Sequence, residues 1–556
     1  MKFQFYILTF LILALGENSF SQNPHWDWAK SAGGINNDAA SSIAADSSGN
    51  TYVTGTFTSP TITFGSTVLT LTGSSDVFIV KYDSSGNPLW ANSFGNFSDN
   101  VGNSIVTDKA GNIYVAGYFK SHSMSVGGFT LTNDTTDTTA DIFIAKYHPN
   151  GNVIWAKRFG GSDQDYVSAL TTDTACNVYL TGGFYSPSIV FGGTTLTSFG
   201  QPALYVTKMD SAGNVHWAKS ARQSADGSTI ASSTGGYLYV TGYLYDSLLI
   251  IGNDTLFNFD SHAYTPDVFI AKYDGNGNAL WAKHAGGTDD DESTGSATDA
   301  SGNLYIIGNF WSTIMSFDTL ILTNQNTGGS DYFLAKYDGN GNALWAKGVT
   351  GQYCWGASVV ADANGNVCVT GDFADTSMMF PPVVLNGSAS GSNIFVADYN
   401  QNGNAQWAIG GKGFDASDTP TGIAEDAAKN IYIAGYFGDS TLIFGNDTLA
   451  NDTNNYSGDV FVCKLSAPIL TSSEVAIQSL QSITIYPNPT TGLFTISLPK
   501  NIMQGEVIVM NMMGQQVYND TFAGNRKSMR LELSAGIYFV QVRSGSDIWT
   551  QKLVKE

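Results

Sequence analysis

Two apolar runs of strand length, set on either side of a Gly/Asn turn, recur along this 556-residue chain. Residues 331–347 read D-Y-F-L-A-K-Y-D-G-N-G-N-A-L-W-A-K, and residues 267–283 read D-V-F-I-A-K-Y-D-G-N-G-N-A-L-W-A-K. Such a pattern predicts a β-hairpin, because Gly and Asn accept the positive φ that tight turns need. The Trp after the turn recurs at Trp28, Trp90, Trp155, Trp217, Trp281, Trp345 and Trp407, at intervals of 62, 65, 62, 64, 64 and 62 residues. So regular a period predicts a repeat architecture.

The first full unit reads as four strands. Residues 41–46 (S-S-I-A-A-D) predict strand one, 51–57 (T-Y-V-T-G-T-F) strand two, 76–82 (D-V-F-I-V-K-Y) strand three, and the stretch around Trp90 strand four. Strand three is apolar on both faces, with Val77 and Ile79 on one and Phe78, Val80 and Tyr82 on the other. A sheet with one wet face alternates instead, so both faces must be covered, as in four-stranded blades stacked around an axis. Strand two occurs at Tyr52, Tyr114, Tyr179, Tyr239, Tyr305, Cys368 and Tyr432, and strand three starts at Asp76, Asp141, Ala203, Asp267, Asp331, Asn393 and Asp459. Both therefore occur seven times. The Trp strand also occurs seven times but out of phase: Trp28 precedes every strand one, and the last unit ends at Lys464-Leu465 without a Trp strand. This predicts an all-β, seven-bladed β-propeller in which the N-terminal strand at Trp28 completes blade 7 beside Phe461 and removes the open edge.

Between strands two and three, apolar residues five apart recur, as in Phe64/Leu69, Phe191/Leu196, Phe317/Leu322 and Phe444/Leu449. They predict a small extra hairpin per blade, folded over one face of the ring and suited to blade-specific function. The pattern G-G-x-x-x-D, A-x-D-x-x-G-N-x-Y-V-T-G, D-x-F-I-A-K-Y-D and G-N-x-x-W-A-K resembles the bacterial seven-bladed propeller repeats known as SBBP repeats, over roughly Trp26 to Leu465.

The repeat stops after Leu465. Residues 482–556 carry short alternating strands punctuated by Gly, Pro and Asn, which predict a small Ig-like β-sandwich. Within it stand Tyr486-Pro487-Asn488-Pro489 before Thr490-Thr491-Gly492, then Leu533-Ser534-Ala535-Gly536-Ile537-Tyr538, then Lys552-Leu553-Val554-Lys555 at the end. These motifs resemble the type A C-terminal sorting domain of type IX secretion in Bacteroidetes. The resemblance implies handling by the type IX machinery through residues 482–556, removal of the tail, and a cargo that is released or attached at the cell surface.

The N-terminus has Lys2, an apolar run from Phe3 to Leu15, then small and polar residues to Ser21-Gln22. It predicts a signal peptide, too short to span a bilayer. The domain organisation expected is therefore signal peptide 1–21, propeller 22–466, linker 467–481 and sorting domain 482–556, with no transmembrane span in the mature chain.

Charge narrows the partners. Lys and Arg number 25 against 47 Asp and Glu, a net charge of −22, whereas nucleic-acid binding needs a basic footprint. The four cysteines, Cys176, Cys354, Cys368 and Cys463, have no paired spacing and read as buried free thiols.

Catalytic chemistry is sparse. The six His show no metal-ligand spacing, and neither H-E-x-x-H nor G-x-S-x-G occurs. Asp274-Gly275-Asn276-Gly277-Asn278 resembles the start of a calcium loop but suits a hairpin turn better. The Asp before strand two (Asp46, Asp108) and the Lys of strand three (Lys81, Lys146) suggest a structural pairing across the blade. Asp254-Thr255-Leu256, Asp318-Thr319-Leu320 and Asp447-Thr448-Leu449 resemble an O-glycosylation motif of Bacteroidetes. The polar residues Asp38, Asp165, Asp291 and Asp418 fall at one repeat position near the channel mouth, where they either cap turns or bind Ca²⁺ through oxygen ligands. Trp311 and Trp355 depart from the repeat and are candidate stacking platforms for a surface glycan or protein ligand. The expectation is an exported, non-enzymatic binding or structural propeller, with a secreted glycan-active hydrolase or lyase as the alternative.

Overall fold

The computed structural model describes residues 24–133, 139–260, 265–324, 329–349, 354–388, 391–413, 418–451, 457–466, 484–497, 504–511, 516–544 and 547–556. The expected signal peptide (1–21) and linker (467–481) lie outside these residues. The chain divides into two compact units, 1–469 and 470–556.

The first unit is a β-propeller of seven four-stranded antiparallel blades. Blade 1 comprises Asp38–Ala45, Thr51–Phe57, Asp76–Tyr82 and Pro88–Phe94, paired in that order. In blade 7 the order is His25–Ala32, Asp459–Ser466, Ile431–Phe437 and Asp418–Glu425, so the N-terminal strand supplies strand four. Trp28 pairs with Lys464 and Ser31 with Phe461, the closure that the phase of the Trp repeat predicts. Gly33 makes this close fit possible: a Cβ there would lie 1.8 Å from the Asp459 carboxylate at the far end of the repeat.

Strand three of each blade is buried on both faces, as its unbroken apolar run requires. The bottom of each blade is turn chemistry. Asp46 Oδ1 accepts the Ser48 and Asn50 N–H groups, Oδ2 accepts Asn50 Nδ2 and the Tyr52 hydroxyl, and Gly49 takes φ +78°. The Asp274 loop is the same kind of turn: its carboxylate accepts Asn276 N–H, Asn278 N–H and Asn278 Nδ2.

The expected Asp–Lys pairing across the blade gives way to a different bond. Lys81 lies over the Tyr52 ring at 5.0 Å and donates to the Pro149 carbonyl of the next blade, which also accepts the Trp90 indole N–H. Lys146 with Trp155 meet at Ser211 O in the same way, and Lys336 with Trp345 meet at Gln401 O. A carbonyl in a hairpin turn has a free lone pair, so one turn serves two donors from its neighbour. Lys336 alone of these lies near its Asp as well, 3.9 Å from Asp299.

The small hairpins form in all seven blades, for example Thr61–Phe64 with Thr67–Thr70. They pack beside strand four, on the outer rim and not over a face of the ring. Asp254 and Asp447 of the D-T-L sequences accept the strand-four N–H groups of Ala282 and Ala29. These hairpins therefore cap the open edge of each blade. Three cysteines are buried; Cys176 is half-buried, at φ +61° in the place other turns give to Gly.

The second unit holds two antiparallel sheets. Thr484–Tyr486, Leu493–Ser497 and Arg526–Arg530 form one; Gln516–Ala523, Gln504–Met510, Gly536–Ser544 and Asp547–Lys555 form the other. Their inner faces share a core that includes Phe494, Ile496, Val507, Val540 and Leu553. No helix among the described residues is long and apolar enough to cross a membrane.

Candidate functional site at the channel mouth

The first residues of strand one pair with the last of strand two, so the loops into strand one and out of strand two share one end of the propeller. The seven strands one surround a central channel of about 530 Å³, lined mainly by small Ser, Thr, Ala and Val side chains with Glu425 near one end.

Asp38, Asp165, Asp291 and Asp418 lie at this end, but they are fully buried and each serves its own blade. Asp38 Oδ1 accepts the Thr58 and Ser59 N–H groups. Asp165 Oδ2 accepts the Ser186 hydroxyl at 2.8 Å, and Asp291 Oδ2 the Ser312 hydroxyl at 2.8 Å. Asp38, Asp165 and Asp291 thereby hold the loop that leaves strand two, which is capping chemistry. Asp38 itself opens strand one, which begins three residues earlier than the sequence pattern suggests. In blade 4 the equivalent is Ala225, paired with Leu244; in blade 6 it is Cys354, paired with Phe373. Blade 7 replaces the partner serine with Asp439, and burial plus that neighbouring carboxyl push Asp418 up to about 8. Among the described residues no group of three or more His, Cys, Asp or Glu is placed to hold a metal ion. The hydrogen bonds of Asp38, Asp165 and Asp291 are those of turn caps.

Trp311 and Trp355 come together across the seam between blades 5 and 6. Their ring centroids are 5.3 Å apart at 81°, and Trp355 is 40% exposed. They end a longer arc that sequence reading missed. The residue that follows the cap position is small in blades 1 and 7 (Ala39, Thr419) and Val101 in blade 2, then becomes Tyr166, Asp226, Glu292 and Trp355 in blades 3 to 6. Across the seam between blades 2 and 3 stands Tyr118, whose ring meets Tyr166 edge-on at 5.1 Å; within blade 3 Tyr185 lies 6.3 Å from Tyr166. Tyr243 donates to Glu292 Oε2 at 3.2 Å and lies 5.8 Å from Tyr245. Asn309 bridges Glu292 to the blade-6 backbone at Gly356. The detectable signal was positional: aligning the residue after each cap shows four consecutive blades breaking the repeat.

The arc is electrostatically unusual. Burial pushes the Asp226 carboxyl up to about 7, and burial raises Glu292 as well. Burial and the adjacent ionisable groups push the Tyr166 phenol up to about 12. Exposed Asp163, Asp289 and Asp290 occupy the loops beside these side chains.

Residues 484–556 match the family model of the secretion system C-terminal sorting domain. The chain carries a type IX sorting domain. That domain marks it for secretion to the cell surface or outside. Its motifs meet in space: Asn488 Nδ2 donates to Lys552 O, Val554 N–H donates to Asn488 Oδ1, and Tyr538 pairs with Leu553. The sorting-domain protein is 25% identical over 508 residues to an uncharacterized WD repeat-containing protein of Acanthamoeba polyphaga mimivirus, covering 75% of this chain. It spans about a third of that relative, 36% of its length. Its fold is similar to the Neurospora crassa Pan2 WD40 domain (TM-score 0.38, 11% identity, 79% of this chain and 97% of that one). It is also similar to PorZ, a surface component of the type IX secretion system of Porphyromonas gingivalis (TM-score 0.25, 12% identity, 93% and 81%).

Proposed function

We propose that the protein is an exported, non-enzymatic binding module whose ligand, a surface or extracellular glycan, lies on the channel-mouth face of blades 2 to 6. The observation that carries this reading is the arc from Tyr118 to Trp355, confined to consecutive blades of an otherwise uniform ring. Pyranose rings present C–H faces that stack on aromatic side chains, while their hydroxyls hydrogen-bond to carboxyl and amide groups. Tyr166, Tyr185, Tyr245, Trp311 and Trp355 supply faces; Asp226, Glu292 and Asn309 supply polar groups. The opposite end of the ring carries similar tight turns, in many of which an Asp carboxylate accepts N–H groups of its own turn.

The test is binding of residues 22–466 to an array of neutral, acidic and amino-substituted polysaccharides, with retention measured by affinity electrophoresis. Trp355→Ala should weaken retention of the bound glycan by about tenfold without lowering the melting temperature, since the ring is partly exposed. Binding that ignores Trp355, or no glycan bound at all, rejects the reading. A second reading, a glycan-cleaving enzyme, draws on the two raised carboxyls Asp226 and Glu292; release of reducing ends from a bound glycan, abolished by Glu292→Gln, would replace the first.

A further inference from the structure

Departures from the repeat concentrate at the seam between blades 3 and 4. The residue facing the next blade from the end of strand two is Thr56, Tyr118, Tyr243, Asn309, Asp372 or Tyr436 elsewhere, but Gly183 in blade 3. Opposite it stands Asp226. A Cβ on Gly183 would lie 2.7 Å from Asp226 Oδ1, so the missing side chain makes room for that carboxyl. Immediately after strand two, blades 3 and 4 carry Tyr185 and Tyr245, both half-buried.

The carboxyl is placed but not satisfied. Asp226 Oδ1 is buried and has no hydrogen-bond partner. Burial is the main influence on its proton affinity, eased only by the Gly227 N–H; no Lys or Arg contributes. Burial and then the nearby Asp226 carboxyl raise both the Tyr185 and the Tyr245 phenols, with Glu292 and Asp290 adding to the second. A buried acceptor without a donor calls for one from outside the chain. Aromatic faces around an acidic group with no basic neighbour favour a donor that carries positive charge.

We infer that the seam between blades 3 and 4 is a recognition site for an organic ammonium group, held by the Asp226 carboxyl and the rings of Tyr185 and Tyr245. The inference rests on the channel-mouth face being the ligand-binding face, and it names the chemistry of the ligand there. Two sources present that group: an amino sugar with a free amine, and a lysine side chain.

The experiment is isothermal titration of the full propeller with three probes: a glucosamine oligosaccharide, its fully N-acetylated counterpart, and a short lysine-containing peptide. The free-amine oligosaccharide or the peptide should bind, and whichever does identifies the source; the acetylated sugar, uncharged at that position, should bind at least about tenfold more weakly than the free amine. Asp226→Asn keeps the shape of the side chain and should lower affinity about tenfold, as should Tyr245→Leu. Asp289→Asn, which removes one exposed charge from the same face, should change it less than about twofold, separating a local site from general attraction to a chain of net charge −22. Equal effects of Asp226→Asn and Asp289→Asn, or binding of the acetylated sugar as tight as the free amine, overturn the inference. If neutral glycans bind in a Trp355-dependent way and neither amine probe binds, the ammonium site falls and the binding face stands. If nothing binds, both fall.

Discussion

Trp28 and Lys464, 436 positions apart in the sequence, donate to one carbonyl oxygen, that of Ser84, at 3.1 and 3.4 Å. Trp28 enters from the N-terminal strand and Lys464 from the last strand of the ring, and Ser84 belongs to the turn of blade 1. The same Trp–Lys clasp joins every blade to the next except blade 6 to blade 7. There the turn is missing, because strands three and four of blade 7 come from opposite ends of the propeller.

Closure should therefore be worth a large share of the stability. Trp28 is 7% exposed and packs against Tyr82 and Tyr432, so Trp28→Ala should cost about 3–5 kcal/mol. Deleting residues 22–32 should lower the melting temperature far more than deleting the linker at 467–481. Equal melting temperatures for the two deletions would reject this closure.

The unclasped seam carries its own compensation. At the Lys position blade 6 has Asp398, pushed up to about 7 by burial and by the neighbouring Asp362 and Glu425. The cation comes instead from Lys429 of blade 7, which stands at φ +71° where other turns have Gly, with its amine 2.5 Å from Glu425 and 3.7 Å from Asp362. Lys429→Gly relieves about 1 kcal/mol of backbone strain but leaves these carboxyls without a cation. It should stabilise at pH 5.5, where Asp398 is protonated, and destabilise at pH 8.5, where it is not. Urea midpoints that shift the same way at both pH values would contradict this.

Buried carboxyls also set the pH dependence of the whole ring. Burial raises Asp165 to about 6, Asp267 and Asp372 to about 7, and Asp291 to about 8. Between the ordinary carboxylate range and these values the folded chain holds more protons than the unfolded one. Stability should then fall as pH rises from about 4 to 8 and level off above, the opposite of a salt-bridged carboxylate. Asp291→Asn should flatten the upper part of the curve. A urea midpoint that climbs over this range would refute the assignment.

Calcium offers a further check on the caps. Asp165 and Asp291 spend their oxygens on Ser186 and Ser312, so millimolar Ca²⁺ should leave the melting temperature unchanged. A rise abolished by Asp165→Ala with Asp291→Ala would restore the metal reading.

The ring was legible because its determinants recur. Seven copies of one apolar pattern give the blade, and the phase of Trp28 gives the closure. The clasp was not legible, since which carbonyl Lys81 reaches depends on the turn of the next blade, about 68 residues on. The arc escaped for a related reason. Tyr166, Asp226 and Glu292 look unremarkable in their own strands, and only the stacking of neighbouring blades brings Tyr118, Tyr185 and Tyr243 against them. The Trp311–Trp355 pair was findable because each residue alone breaks its repeat position.

The sorting domain yields the last expectation. Its three sequence motifs form one structural unit: Thr490 N–H donates to Val554 O, Glu556 N–H donates to Thr490 O, and Gly536 to Tyr538 pair with Lys555 to Leu553. Removing residues 552–556 strips the partner from both other motifs and leaves the Gly536–Tyr538 edge unpaired. The shortened protein should keep a folded propeller, because the ring closes within its own unit, through the pairing of His25–Ala32 with Asp459–Ser466. It should accumulate in the periplasm of a type IX-competent host, with the full chain at the surface or in the medium. Cell fractionation with an antibody to the propeller distinguishes the two. Normal export without residues 552–556 would show that the terminal strand is dispensable, and would shift the sorting information to the segment from Tyr486 to Gly492.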